Sequence, residues 1–353
     1  MNPVHTTLEP MKKLANLLGI EIGFISEVTP DRSCWYGWIP SRQAKQFIYQ
    51  QIKHCEMAWR VITNNQAGAY LVYEFKTAYS LPLLAALLLR RRPSFLVMHG
   101  TQQLSTQTLL HRIGFWFTKW FVNHFNGCAV LFERGDDCLP EWQRFKAGKT
   151  IVMPLPHPLA ECDGDLQRKS IEIANEKKIR IGVIGMLREE KGTQGLLNQL
   201  VLKLPHWDGK VELLLGTPFW QKQAWVDSLP ITTLDTSHSF QYEAFFKEVD
   251  IAVFAYRQSD YYYRPSGVIC DALMHGCYVV CPDFPIFRSQ ISNPVMLGVP
   301  YVDATNLLDA VESAFDELKR VRKADFDQWR NFRKIDHWAY KFRPFLINRP
   351  KRV

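Results

Sequence analysis

Short apolar runs alternate with longer amphipathic segments along almost the whole chain. EIGFISE (21–27), AYLVYE (69–74), SFLVMH (94–99), GCAVLF (127–132) and TIVMP (150–154) put apolar residues on both faces of an extended segment and read as strands. Helical patterns near 41–62, 78–90, 107–125 and 133–147 separate them. After a polar stretch, AECDGDLQRKSIEIANEKK, the rhythm restarts with KIRIGVIG (178–185), VELLLG (211–216), ITTLD (231–235), DIAVFA (250–255) and CYVVCP (277–282). Helices are expected there near 191–203, 218–228, 241–249, 266–275 and 304–321, with two more at 324–335 and 336–347.

Strands buried on both faces and joined through helices predict parallel sheets covered on both sides. The pattern therefore predicts an α/β protein with two Rossmann-like domains facing a central cleft. Residues 1–160 form the first domain, 161–330 the second, and 331–353 a helical segment packing across both. A length of 353 residues suits two domains better than one core. In open α/β sheets ligands bind beyond the carboxyl ends of the strands, so the loops after each strand carry the interest.

Composition narrows the partners. The chain is 47% apolar and 22% charged, which is a globular balance, and its formal charge of +8 favours an anionic partner. No Lys/Arg block is longer than Arg90-Arg91-Arg92 and no zinc-finger spacing occurs, so nucleic acid is not expected. The start has no apolar signal core, and the longest apolar run, Leu81 to Leu89, is too short to span a bilayer. The eight cysteines form no CxxC pair and read as buried, reduced thiols of a cytoplasmic protein.

Two loops carry candidate chemistry. In GMLREEKGTQGLL (185–197), Gly185 ends a strand, Arg188 and Lys191 fall in the loop, and Gly192 precedes a helix. Two cations beside a helix N-terminus suit a diphosphate, because unpaired amides and the helix dipole add to their charge. In RPSGVICDAL, Ser266, Gly267 and Val268 open a second helix, so their amides are expected to point at the same diphosphate. Asp271 lies one turn inside, where a carboxylate either accepts bonds from sugar or ribose hydroxyls or simply favours the helix start.

With these residues in view, the chain resembles the large family of GT-B-fold glycosyltransferases that use nucleotide-sugar donors with retention, over nearly its whole length. Gly185, Arg188, Lys191 and Gly192 match the family's donor-diphosphate loop, although Met186 stands where its commoner version has the Arg. The family's pair of glutamates, with seven residues between them, aligns with Tyr263 and Asp271, so one acid is shortened and the other is missing. YRQSDYYYRPSGVICDAL (256–273) is similar to the variant some members carry. His99, at the end of FLVMHG, resembles the histidine that approaches the donor sugar. Tyr36, Gly37 and Trp38 resemble the glycine-bearing loop where acceptor and donor phosphate meet. The resemblance assigns catalysis to His99, Arg188 and Lys191, and donor binding to Gly185, Ser266, Gly267, Val268 and Asp271. The base pocket is expected near Ser239–Tyr242, and His157 of VMPLPHP reads as structural.

The implied activity is hexosyl transfer from a UDP- or GDP-sugar to a glycan or lipid-linked saccharide, by front-face attack, with no cofactor and no metal. An isomerase acting on the nucleotide sugar, or a catalytically silent binding protein, remains as an alternative. HRIGFWFTKWFVNHF (111–125) has Ile113, Trp116, Phe117, Trp120, Phe121 and Phe125 at helical spacing. It suits contact with an anionic membrane; the plainer reading, preferred here, is a helix packed on its sheet. The expected location is the cytoplasm, with peripheral membrane contact.

Overall fold

A computed structural model describes residues 8–18, 22–25, 42–73, 76–161, 178–185, 187 and 191–347. The chain separates into two compact units, one made of residues 8–154 with 335–347 and the other of residues 155–334.

The first unit runs α1 (Leu8–Leu17), β1 (Ile22–Ile25), α2 (Arg42–Thr63), β2 (Ala69–Val72), α3 (Leu81–Arg90), β3 (Ser94–Val97), α4 (Thr101–Gln107), α5 (Leu109–His124), β4 (Gly127–Phe132) and β5 (Thr150–Met153). Its strands are all parallel and follow one another across the sheet, β1-β2-β3-β4-β5, with Leu71 against Phe95 and Phe95 against Cys128. β2, β3 and β4 are buried at every position, as runs of Val, Leu, Phe and Ala demand. A sheet that advances in one direction through right-handed crossovers carries its helices on one face. The other face needs a separate cover, and the chain's end supplies it: Phe342 and Phe345 lie 5.1 and 6.1 Å from the Phe95 ring.

The second unit runs β6 (Ile179–Ile184), α6 (Thr193–Lys203), β7 (Val211–Thr217), β8 (Thr232–Asp235), α7 (Ser239–Glu248), β9 (Ile251–Val253), α8 (Gln258–Tyr261), α9 (Gly267–Met274), β10 (Tyr278–Pro282), α10 (Pro285–Ser292), β11 (Gly298–Tyr301), α11 (Leu307–Leu318) and α12 (Lys323–Phe332). The parallel order is β11-β10-β9-β6-β7-β8, the doubly wound arrangement whose strand order reverses between β6 and β9. One face of this sheet is sealed by Leu196, Leu197 and Leu200 of α6 and by Val311, Ala314 and Leu318 of α11.

Every strand expected from the sequence is present, and the departures have local causes. Residues 133–147 form two single 3-10 turns instead of a helix, because Pro140 stands between them without an N–H. Residues 218–228 likewise give two 3-10 turns, interrupted by extended backbone at Lys222 and Gln223. The expected helix 336–347 breaks into a 3-10 turn, Ala339–Phe342, and a short α13, Arg343–Ile347. The strand β11 escapes sequence reading because Pro300 sits inside it, which an edge strand tolerates. The helices α1 and α10 also carried no clear signal; α10 opens on Pro285 at its first position.

Candidate functional site

The strand reversal in the second unit decides where its loops part. The connection after β6 leads to α6 and the connection after β9 leads to α9, on either side of the switch point. Both glycines flanking the first loop are required by geometry. Gly192 caps α6 in the left-handed region at φ 60°, and a Cβ there would lie 2.4 Å from the Ala255 carbonyl oxygen. The β6 and β9 loops therefore touch through bare backbone. Gly185 has φ 126°, and a Cβ on it would lie 2.6 Å from Lys191 Nζ. The ammonium group thus rests against the strand end, with Nζ 5.9 Å from the centroid of the Tyr256 ring.

Tyr256 connects this cation to the second helix start. Its ring stacks on Tyr261 at 4.1 Å, and its hydroxyl lies 3.0 Å from Ser266 Oγ, which accepts the Ile269 N–H and caps α9. Burial raises the Tyr256 phenol far above its ordinary range, so it stays a neutral partner. Lys191, Tyr256 and Ser266 consequently form one continuous wall at the switch point.

The amides of α9 behave differently from expectation at one position. The Ser266 N–H is donated to Gln290 Oε1 at 3.0 Å, and Gln290 Nε2 returns a bond to the Ser266 carbonyl. That amide is spent inside the protein, which removes it from the proposed anion contacts. Gly267 and Val268 have no acceptor for their amides among the described residues, and a Cβ at Gly267 would meet nothing within 4 Å. Two orphan amides at a helix start are what an anion needs, and no side chain at Gly267 crowds them.

Asp271 is held on both oxygens. His157 Nε2 lies 2.7 Å from Oδ1, and the Tyr242 hydroxyl donates to Oδ2 at 2.7 Å. The Leu159 amide donates to His157 Nδ1, so Nε2 carries the ring proton and donates it to the carboxylate. Burial and the adjacent Asp271 charge hold the Tyr242 phenol well above its usual range. Each carboxylate oxygen retains a second lone-pair direction, so the group can still accept a hydroxyl. His157, expected to be merely structural, orients Asp271, and Tyr242, expected at the base pocket, reaches the same carboxylate.

Gln290 is the residue that sequence reading missed. It is fully buried on α10, and its backbone carbonyl accepts the Trp329 indole N–H at 2.7 Å and an Arg333 guanidinium N–H at 3.2 Å. Arg333 also donates to the Leu155 carbonyl. A single Gln in PIFRSQIS gives no signal of this; only the fold brings it to Ser266.

Gly185, Lys191, Ser266, Gly267, Val268 and Asp271 therefore all belong to the second unit. His99 belongs to the first, two residues past β3, with its ring 6.0 Å from that of Phe132 and edge-on to it. Arg188, Tyr36, Gly37 and Trp38 lie outside the described residues. Beside the first turn of α6 a hollow of about 420 Å³ is lined by polar groups of Thr193, Gln194, Asn198, Gln223 and Arg257 and by Trp225. Among the described residues no group of three or more His, Cys, Asp or Glu is placed to hold a metal ion.

No protein-family model matches the chain, and no curated protein matches it. Solved structures do. A UDP-forming α,α-trehalose-phosphate synthase from Burkholderia xenovorans superposes with a TM-score of 0.57 at 17% identity, covering 88% of this chain and 80% of that one. Sucrose-phosphate synthase from Thermosynechococcus elongatus gives 0.58 at 14% identity, covering 96% and 90%. Anabaena HepE in complex with UDP-glucose gives 0.54 at 12% identity, covering 82% of each chain. Likeness at these identities speaks for architecture, and with two parallel sheets in two units the chain has the GT-B fold.

Proposed function

We propose that the chain is a glycosyltransferase that moves a hexosyl group from a nucleoside-diphosphate sugar to a hydroxyl of a glycan or a lipid-linked saccharide. One arrangement supports this reading: Lys191 stands beside Tyr256, whose hydroxyl lies 3.0 Å from Ser266 at the start of α9, so a cation and a helix start share the switch point of a doubly wound sheet. The structural neighbours, which include a UDP-forming synthase and a UDP-glucose complex, support it.

The chemistry follows from where charge develops. As the bond between the anomeric carbon and the diphosphate oxygen breaks, the diphosphate gains negative charge and the sugar becomes oxocarbenium-like. Lys191, with Arg188 of the same loop and the α9 amides, stabilises that leaving group, the part a metal ion plays elsewhere. The acceptor hydroxyl attacks the same face of the sugar and gives its proton to the departing diphosphate oxygen. A glycoside and a nucleoside diphosphate result, with configuration retained. Asp271, oriented by His157 and Tyr242, receives the ribose hydroxyls, and His99 approaches the donor sugar. The enzyme works in the cytoplasm, at a membrane face where the acceptor is lipid-linked.

A silent binding protein is the second reading, favoured by the missing acid at Tyr263 and by the protein partners Asp271 already has. Incubation with UDP- and GDP-hexoses and a panel of saccharide acceptors separates the two. Release of nucleoside diphosphate together with a glycosylated acceptor is the expected result. Nucleotide binding with no product from any acceptor would favour the binding protein, and donor conversion without an acceptor product would favour an isomerase.

A further inference from the structure

The first unit carries an apolar surface on α5 that none of the residues assigned to donor or acceptor occupies. The rotation of α5 is fixed by one glycine. A Cβ at Gly114 would lie 1.9 Å from the Thr77 carbonyl oxygen, so only glycine lets α5 lie on the turn at 77–79. Thr77 Oγ1 donates to the His111 carbonyl, and Ser80 Oγ lies 3.5 Å from Thr118 Oγ1, which ties α5 to the same turn. Gly114, Phe115, Thr118, Phe121 and Val122 consequently form the buried face.

The opposite stripe, at positions i, i+4, i+7 and i+11, is then forced outward: Leu109, Ile113, Trp116 and Trp120 are 72%, 47%, 60% and 41% exposed. The adjoining α3 adds exposed Leu81 and Leu89. A run of large apolar groups turned to water on neighbouring helices calls for a partner.

Charge selects which one. From residue 75 to residue 132 the sequence contains no Asp or Glu, yet it holds Lys76, Arg90, Arg91, Arg92, Arg112 and Lys119. Further cations gather at the end of α5, where Lys149 Nζ donates to the Phe125 carbonyl and Lys146 Nζ lies 3.3 Å from His124 Nε2. Arg112 and Lys119 flank the stripe on α5 itself, so a second copy docking there would bring these cations against their own copies, since a two-fold contact pairs identical surfaces. An anionic bilayer offers the complement to both features, because indole rings settle at the interface while Lys and Arg reach lipid headgroups. No helix among the described residues is long and apolar enough to cross a membrane, so the contact is superficial.

We propose that the outward face of α5, centred on Trp116 and Trp120, docks the first unit onto an anionic lipid surface. The docking stands on this surface alone; only its purpose, presenting a lipid-linked acceptor, rests on the transferase reading.

The test is co-sedimentation with vesicles of phosphatidylcholine alone and of phosphatidylcholine mixed with phosphatidylglycerol, at low and high salt. The full chain and a Trp116→Ser/Trp120→Ser variant are compared, with thermal melting and light scattering on both. Binding to the anionic vesicles only, weakened by salt and reduced about tenfold or more in the variant at unchanged melting temperature, is expected. Absence of binding at low salt, equal binding by the variant, or a dimer that the variant dissociates would overturn it. Turnover on a soluble acceptor is read separately. Docking without turnover sinks the transferase reading and leaves this one, and turnover without docking does the reverse.

Discussion

The two sheets are both parallel and both buried, yet they treat their loops differently. In the second unit the strand order reverses between β6 and β9, so consecutive connections leave the switch point in opposite directions and expose two helix starts. In the first, the described strands advance one after another with no reversal. That sheet gives no crevice by topology, and its second face must be closed by Phe342 and Phe345 from the chain's end. The same element type thus yields the proposed diphosphate site in one unit and a platform with an exposed helical surface in the other.

The comparison breaks most directly at Lys191. Lys191→Ala should lower kcat about 10²–10³-fold, the usual loss when one charge-stabilising group at a developing anion is removed. Circular dichroism should remain that of the unaltered chain, since the ammonium lies at a loop. Near-normal nucleotide release by the variant would mean that the switch point is not where the leaving group is held.

Acid should separate the units by stability. His54 of the first unit is fully buried, accepts the Lys76 amide at Nε2 and donates Nδ1–H to the Gln50 carbonyl, so it is held neutral. Burial, followed by the charges of Lys53 and Lys76, pushes its pKa from 6.5 to about 4. The unfolded chain therefore binds more protons between those values. Stability from this group is fully present above pH 6.5 and falls as pH drops towards 4, by about 3 kcal/mol at the low end. His111, also lowered by burial, adds to the effect in the first unit, and His275 is its counterpart in the second. Limited proteolysis from pH 7 to pH 4 should cut the first unit earlier; a His54→Gln variant with an unchanged acid profile would contradict the assignment.

Within the second unit, Gly192→Ala should destabilise by about 2–3 kcal/mol, because strain at positive φ is joined by a clash with the Ala255 carbonyl. Urea denaturation reads this directly, and a variant as stable as the parent would show that the β6 and β9 loops do not meet as described. The smallest effect is expected from Asp271→Asn, about 1–2 kcal/mol, since the new amide presents a donor to either His157 or Tyr242, both already donors. Its affinity for nucleoside diphosphate should fall with it. Loss of stability without loss of affinity would confine Asp271 to packing.

How much of this was legible in the sequence depends on the range of the interaction that decides it. The strands showed themselves because burial on both faces leaves unbroken runs such as GCAVLF and YVVC. The loop GMLREEKG and the helix start RPSG showed themselves because glycine, cations and a capping serine are local signals. The meeting of the two loops was not visible, since β6 pairs with β9 across the intervening β7, α6, β8 and α7. Gln290 capturing the Ser266 amide depends on the packing of α10 against α9, which no spacing encodes. On α5 the stripe of Ile113, Trp116, Phe117, Trp120, Phe121 and Phe125 is widened by Phe115 and Val122, so periodicity alone could not say which would be buried. The contact of Gly114 with Thr77, 37 residues away in sequence, sets the rotation and turns Trp116 and Trp120 outward.

The central claim is that the switch point of the second unit holds a nucleoside diphosphate. It is tested most directly by thermal-shift titration of the chain and of Lys191→Ala with UDP, GDP, ADP and their hexose conjugates. The account predicts that one nucleotide raises the melting temperature of the unaltered chain and has little effect on the variant, which would also identify the donor base. Stabilisation of both proteins alike, or of neither by any of these nucleotides, would contradict it.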